Sequence, residues 1–225
     1  MLETIPYYVS LSFILTTILT YWLFFKVIKW PNYFKWILLA WLLIQGAVGY
    51  SGFYTFTDSI PPRFLLLVVP MLLTAVFLVF IPPFNRHMEN VDLKKLTLIH
   101  LVRVPVELVL LWLYYAGSIP ELMTFEGRNF DILAGLTTPL IFYWGFTNEG
   151  PRKGILLAWN LICFGLLLNI IGNAVLSAPF PFQQFAFEQP NIGLLYFPFI
   201  WLPGFVAPAV FFAHLASLKI LLSKK

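Results

Sequence analysis

The sequence predicts an all-α, polytopic membrane protein, and two features of its composition and patterning indicate this. Of its 225 residues, 60% are hydrophobic and only 11% are charged, whereas a soluble domain carries about 25% charged residues. Seven apolar stretches follow one another along the chain, each close to the roughly 20 residues that a helix needs to cross a bilayer. We therefore predict one transmembrane domain over residues 1–225, built as a bundle of seven helices.

Charged and proline-containing loops set the limits of the predicted spans. The N-terminal segment MLETIPYYV lacks the basic region of a signal peptide, so the first apolar run is interpreted as a true span. Two prolines end the third run, and the most polar loop of the chain, FNRHMENVDLKK, precedes the fourth. The segment TNEGPRKG separates the fifth run from the sixth. In order, the predicted spans cover approximately residues 6–25, 33–56, 64–81, 96–116, 130–146, 155–176 and 192–218.

Lys and Arg residues are distributed unequally between the two sides of the predicted bundle. The loops that follow even-numbered spans hold only Arg63 and Arg128. Basic loops stay in the cytoplasm, so this asymmetry predicts an N-terminus outside and a C-terminus inside. Compact loops and the absence of an N-glycosylation sequon favour a bacterial cytoplasmic (inner) membrane. The other side carries Lys26, Lys29, Lys35, Arg86, Lys94, Lys95, Arg152, Lys153, Lys219, Lys224 and Lys225.

The fourth predicted span contains three ionisable residues on one helix face. His100, Arg103 and Glu107 lie at positions i, i+3 and i+7. An ionised Arg or Asp at the centre of a span costs roughly 2.5 to 3.5 kcal/mol on insertion scales, so such groups face the bundle interior and often mark a functional site. Pro105 also leaves the carbonyl of Leu101 without its helical donor. This face is our first candidate ligand-binding site; the alternative is an Arg103–Glu107 ion pair that only links helices.

Two asparagines of the sixth predicted span are further ligand-binding candidates. Asn169 and Asn173 are four residues apart, so they share a helix face. At their predicted depth they would close a pocket together with Glu107. Intramembrane amides also hydrogen-bond to neighbouring helices, and this structural role is the simpler interpretation.

The loop after the fourth span supplies three outer-loop candidates: Glu121, Glu126 and Asp131. Their carboxylates are hard oxygen ligands that suit a cation. A solvated rim is the simpler interpretation, because acidic side chains are mostly exposed. The sequence has a single Cys and no HExxH pattern, so we predict no metal site and assign no cofactor.

The seventh predicted span is interrupted by three prolines, Pro198, Pro203 and Pro208. Each removes one backbone hydrogen bond, so the span is predicted to be kinked or discontinuous. Near its cytoplasmic end lies His214, at about the depth of His100 in the fourth span. A haem or metal held between these two histidines is a minor alternative to ordinary buried hydrogen bonding.

These features lead to one main functional hypothesis and two alternatives. The main hypothesis is that the protein binds or transports a small polar or lipid-derived molecule, with Arg103 neutralising an anionic group. The first alternative is an intramembrane lipid-modifying enzyme that uses carboxylate or histidine chemistry, although no catalytic residue can be assigned. The second is an accessory subunit whose polar face meets a partner helix. Membrane lipid is the expected surrounding, and no nucleic-acid partner is expected.

Overall fold

The computed structural model describes residues 5–28, 30–81 and 91–223. It is mostly helical, with 70% of residues in helices, which confirms the all-α fold class. Lys29, Arg86, Lys224 and Lys225, four of the cations counted above, lie outside the described residues. Five helical segments are long and apolar enough to cross a membrane: Tyr7–Val27, Asn32–Tyr50, Leu93–Tyr115, Lys153–Leu176 and Leu202–Leu222.

The third and fifth predicted spans form shorter apolar helices, which have 16 and 13 residues. A 3₁₀ stretch, Leu98–Val102, continues the short helix Leu93–Thr97 into the helix Arg103–Tyr115, and a π-helical turn, Leu202–Val206, leads into the last helix. A two-stranded hairpin joins the helices Ile132–Trp144 and Lys153–Leu176. In chain order the elements are α1 (Tyr7–Val27), α2 (Asn32–Tyr50), α3 (Leu65–Phe80), α4 (Leu93–Thr97), α5 (Arg103–Tyr115), α6 (Ile132–Trp144), β1 (Phe146–Thr147), β2 (Gly150–Pro151), α7 (Lys153–Leu176) and α8 (Ala207–Leu222).

The second predicted span was too long, because helix α2 ends at Tyr50 and not near residue 56. Gly52 adopts a left-handed backbone conformation with φ 76°, and its amide donates to the carbonyl of Gly49 at 3.3 Å. A glycine in this conformation is a common helix terminator because it carries no Cβ that would clash. The chain then turns through a short 3₁₀ helix at Phe53–Thr55.

The seventh predicted span was wrong in its first part. Residues 192–201 form a 3₁₀ helix followed by turns, and the long helix begins only at Leu202. Two of the carbonyls that lose a helical donor to the prolines are nevertheless satisfied: that of Phe199 accepts from the Leu202 amide at 2.9 Å. The carbonyl of Gly204 accepts from the indole Nε1 of Trp41 on α2 at 3.0 Å. The discontinuity predicted from the prolines is therefore present, and a tryptophan of another helix supports it.

The segment Leu93–Tyr115 lies centrally, since α1, α6 and α8 all pack against it. Helices α5 and α6 approach closely at Gly135, where an added Cβ would lie 2.7 Å from Cγ2 of Val104.

The surface of the bundle exposes many apolar side chains. Large apolar side chains such as Leu15, Ile18 and Trp22 of α1 are exposed. Such extensive apolar exposure is rare in soluble proteins, so the surface and the five long apolar helices support an integral membrane protein.

Candidate functional site

The candidate site is a buried cluster of charged side chains where α5 meets the residue that precedes α6. Arg103 is 2% exposed and Asp131 is 4% exposed. Nη2 of Arg103 lies 2.8 Å from Oδ1 of Asp131, and it donates a hydrogen bond to the carbonyl of Cys163 on α7 at 3.1 Å. Arg103 therefore links α5 to α7 and to the start of α6.

The predicted ion pair within α5 was wrong, because Arg103 pairs with Asp131 and not with Glu107. The carboxylate of Glu107 instead accepts from Nδ2 of Asn129, at 2.8 Å to Oε1 and 2.6 Å to Oε2. The same Nδ2 donates to the carbonyl of Met123 at 3.0 Å. A buried carboxylate without a partner is costly, so Asn129 gives Glu107 the hydrogen bonds that Arg103 does not.

Asn129 reaches Glu107 because the loop before α6 folds back into the bundle. The carbonyl of Thr124 accepts from the amides of Gly127 and Asn129, at 3.0 and 3.1 Å. At Gly127 the backbone passes so close to the preceding turn that an added Cβ would lie 2.8 Å from Cα of Leu122. The loop is therefore tightly packed against the bundle, and Thr124 and Asn129 are fully buried.

The three outer-loop candidates separate into two environments. Glu121 and Glu126 are exposed, as the rim interpretation expects, and Glu126 accepts from the hydroxyl of Tyr115 at 2.9 and 3.0 Å. The rim interpretation was wrong for Asp131, which is buried against Arg103. Sequence reasoning also missed Asn129. Its only signal was its place in the polar segment EGRNFD directly after the charged span.

Asn169 and Asn173 of α7 do not line a pocket with Glu107. Asn169 is exposed, and its Nδ2 donates to the backbone carbonyl of Arg128 at 2.9 Å. Nδ2 of Asn173 donates to Oδ1 of Asn169 at 3.3 Å. This pair therefore anchors the loop before α6 to α7, which corresponds to the structural interpretation of the two residues.

A cavity of about 90 Å³ lies between α3, α5, α7 and the start of α8. A cavity needs a volume of only about 10 to 15 Å³ to hold one water molecule, so this cavity is large enough for several. Its lining is almost entirely apolar, and the exceptions are Arg103, Glu107 and Asp131. Half-buried side chains flank it on two sides, namely Val68 and Leu72 of α3 and Ile171 and Val175 of α7. The cavity thus runs from the surface of the bundle, between α3 and α7, inward to the charged cluster.

His100 and His214 meet in the core beside this cluster. Their ring centroids are 4.1 Å apart with an interplanar angle of 33°, and both residues are 0% exposed. Nδ1 of His214 lies 3.0 Å from Oδ1 of Asn160. Because the rings touch face to face, a haem could not lie between them unless they separated. A metal shared by both would need in-plane nitrogen lone pairs that converge, which stacked rings do not offer.

Several buried polar atoms of this region have no hydrogen-bond partner among the described residues. They are Nε and Nη1 of Arg103, Oδ1 of Asp131, whose contact with Arg103 is an ion pair without hydrogen-bond geometry, both ring nitrogens of His100 and Nε2 of His214. A buried donor or acceptor left unsatisfied costs about 1 to 3 kcal/mol. The cluster thus has free hydrogen-bonding capacity, which includes two donor nitrogens of Arg103. In the described part of the chain, no group of three or more His, Cys, Asp or Glu is arranged to hold a metal ion.

Comparison of the chain with protein-family models, with curated proteins and with solved structures finds no match. The geometry of the charged cluster, the cavity and the stacked histidines is therefore the basis for a functional assignment.

Proposed function

We propose that the protein binds, and carries through the membrane, a lipid-derived molecule with a small polar head. The observation that supports this is the cavity, because its apolar walls converge on a buried arginine with two unsatisfied guanidinium nitrogens. An apolar chain would lie between α3 and α7. The polar head would accept hydrogen bonds from Arg103. Ligand sites commonly combine a mostly apolar lining with a few polar groups that fix orientation.

The charges of the cluster define the chemistry of the head group. Asp131 already neutralises Arg103, and Glu107 supplies a second carboxylate. A strongly anionic head would therefore bring an uncompensated charge into a medium of low dielectric constant, because Arg103 is already paired with Asp131. An uncharged head with acceptor oxygens, such as a hydroxyl, an ester or a carbonyl, satisfies Nε and Nη1 of Arg103 without that penalty. We therefore replace the anionic head expected from the sequence with a neutral one.

The proposed setting is a seven-pass bundle in a bacterial inner membrane, with the C-terminus in the cytoplasm. Contacts between helix ends support this topology. Nζ of Lys94, at the start of α4, lies 4.6 Å from the ring centroid of Phe142 near the end of α6. Lys219 of α8 donates to the carbonyl of Val79 at the end of α3. These cationic ends belong to one side in a seven-pass topology, and basic residues favour the cytoplasmic side.

The proposal is tested by identifying lipids that co-purify with the protein in mild detergent. Three proteins are compared by mass spectrometry of the extracted lipids: the wild type, Val175→Trp and Ile162→Trp. Val175 flanks the cavity, so a tryptophan there would fill it. Ile162 lies on the same helix but is 65% exposed, and it is the matched control.

We expect one neutral-headed lipid class to be enriched with the wild type and with Ile162→Trp, and to be lost from Val175→Trp. If all three proteins retained the same lipids in the same amounts, the cavity would not be a ligand site. Retention of acidic phospholipids alone would contradict the assignment of the head group.

A further inference from the structure

We propose that the polar core of the bundle is a proton-conducting path, in which the stacked imidazoles of His100 and His214 pass protons between the cytoplasmic side and the Arg103–Asp131–Glu107 cluster. The histidine part of this path lies apart from the ligand site, because the two histidines are not among the residues that line the cavity, whereas Arg103, Glu107 and Asp131 belong to both.

Helix geometry aligns the members of this path. The 3₁₀ stretch has about three residues per turn, so Thr97, His100 and Arg103 lie one above another. Glu107 follows one α-helical turn later and bonds to Asn129 of the outer loop. From Thr97 to Glu107 the axial distance is roughly 18 Å, with a rise of about 2.0 Å per residue in the 3₁₀ stretch and about 1.5 Å in α5, which is more than half of a bilayer's hydrocarbon thickness of about 30 Å.

Helices α7 and α8 contribute the rest of the path. His214 stacks on His100 and contacts Asn160, and Ser217 follows one turn toward the C-terminal end. Every side chain of the path is at most 4% exposed, so the path is enclosed by the bundle. Its members are Thr97, His100, Arg103, Glu107, Asn129, Asp131, Asn160, His214 and Ser217.

The unsatisfied ring nitrogens leave the histidines free to hydrogen-bond to water. His100 has no hydrogen-bond partner at either nitrogen, and His214 has none at Nε2, among the described residues. Buried polar atoms without protein partners are usually satisfied by water. A neutral imidazole carries one N–H and one free lone pair, so it accepts a proton on one nitrogen and releases another from the other.

Among the described residues, few charged groups act on the histidine pair. Arg103, on the same helical segment, interacts electrostatically with both rings, and it contacts Asp131 and the backbone carbonyl of Cys163 in turn. Helices α1 and α6 also pack against the 3₁₀ stretch, and their described residues include no buried charge. Their buried hydroxyls each donate to a carbonyl of their own helix: Thr16, Thr17, Thr20 and Thr138. An unpaired arginine would repel protons electrostatically, but the contact with Asp131 neutralises this one.

Each step of the path moves a proton and no electrons. A proton from water near Thr97 and Ser217 forms an N–H bond at one nitrogen of an imidazole while the N–H bond at the other nitrogen of the same ring breaks, so that ring stays neutral. Stacked rings do not hydrogen-bond to each other, so water carries the released proton to the second imidazole, which relays it in the same way. The released proton passes by water to a carboxylate oxygen of Glu107 or Asp131, and it leaves from there to water on the outer side. No oxidant, reductant or other co-reactant is needed.

The test is proton flux into liposomes that hold a pH-sensitive dye, driven by a potassium gradient with valinomycin. We expect the internal pH of wild-type vesicles to change much faster than that of protein-free vesicles. His100→Phe and His214→Phe should both fall to the protein-free level, because phenylalanine keeps the ring contact and removes the nitrogens. Trp159→Phe is the matched control. Trp159 packs edge-on against His100, but its Nε1 donates to Thr137 and has no part in the path, so its flux should stay at the wild-type level.

Wild-type flux no greater than that of protein-free vesicles would overturn the proposal, as would full flux in both histidine variants. If these variants fail to fold, ¹⁵N spectra of histidine in the wild type decide: exchange between the two N–H tautomers is expected, and fixed tautomers on both rings would contradict it. His100→Phe and His214→Phe also separate this proposal from the ligand site, because neither residue lines the cavity: both variants should lose proton flux and keep the lipid that co-purifies with the wild type.

Discussion

Arg103 places its Nη2 2.8 Å from Oδ1 of Asp131, although Glu107 lies only one helical turn away on its own helix. The ion pair therefore joins α5 to the start of α6, whereas an intrahelical pair would have left α6 without a polar link to α5. Because Nη2 also donates to the Cys163 carbonyl, one side chain holds three segments together. The stability of the bundle should depend strongly on this pair.

Removing one member of the pair is expected to lower the free energy of unfolding much more than removing both members. Arg103→Met leaves Asp131 buried without its counter-charge, and we expect a loss of about 3 to 5 kcal/mol in the free energy of unfolding. The double variant Arg103→Met, Asp131→Leu removes both charges and should recover most of that loss. Denaturant unfolding in mixed micelles measures the difference. Purely additive losses would show that the two groups do not interact.

Asn129 is expected to hold the outer loop against the bundle through Glu107. Asn129→Leu removes two hydrogen bonds to a carboxylate and should cost about 1 to 3 kcal/mol, because hydrogen bonds to charged groups are the stronger ones. Limited proteolysis of the loop should become faster. Glu121→Gln, an exposed change in the same loop, is the control and should stay within about 0.5 kcal/mol of the wild type. Equal protease sensitivity of both variants would argue against the Asn129 contact.

Two glycines offer a matched comparison of helix packing. Gly135→Ala would place a Cβ 2.7 Å from Cγ2 of Val104 and 3.3 Å from Cβ of Arg103, so α5 and α6 must separate. We expect a loss of roughly 1 to 3 kcal/mol from this overpacking. Gly165→Ala on α7 meets nothing within 4 Å, and alanine favours helix, so its effect should be neutral or slightly stabilising. The midpoint of thermal unfolding in detergent distinguishes the two. A similar shift for both would mean that this helix contact is loose.

Trp41 is expected to stabilise the interrupted start of the last helix. Trp41→Phe removes the donor to the Gly204 carbonyl and should cost about 1 to 3 kcal/mol, the usual cost of an unsatisfied buried acceptor. Trp36→Phe on the same helix is the control, since Trp36 is 69% exposed. Denaturant unfolding provides the measurement. A loss no larger for Trp41→Phe than for the control would show that another donor satisfies the carbonyl.

The sequence predicted the parts of the structure that depend on local pattern. Hydropathy predicted the apolar helices, and the i, i+3, i+7 spacing predicted one buried polar face with His100, Arg103 and Glu107. The three prolines of the last segment predicted its interruption. Each of these signals acts within one helix, where spacing in the chain determines position in space.

The partners of that polar face could not be predicted in the same way. Asp131 and Asn129 reach Arg103 and Glu107 because the loop folds inward, and its path depends on the close backbone approach at Gly127. A polar loop next to a span is by composition indistinguishable from a solvated rim. The stacking of His100 on His214 likewise depends on how two distant helices pack, and matched depth alone does not determine it.

The π-helical turn at Leu202–Val206 has a consequence for the rotational setting of the whole last helix. A π-type turn accommodates one residue more than an α-helical turn does. Loss of one residue there would rotate everything downstream by about 100° and shift it by about 1.5 Å. The imidazole of His214 would then lose its contact with His100 and face a different side of the bundle. This single wide turn thus keeps the C-terminal half of the helix in phase with the polar core.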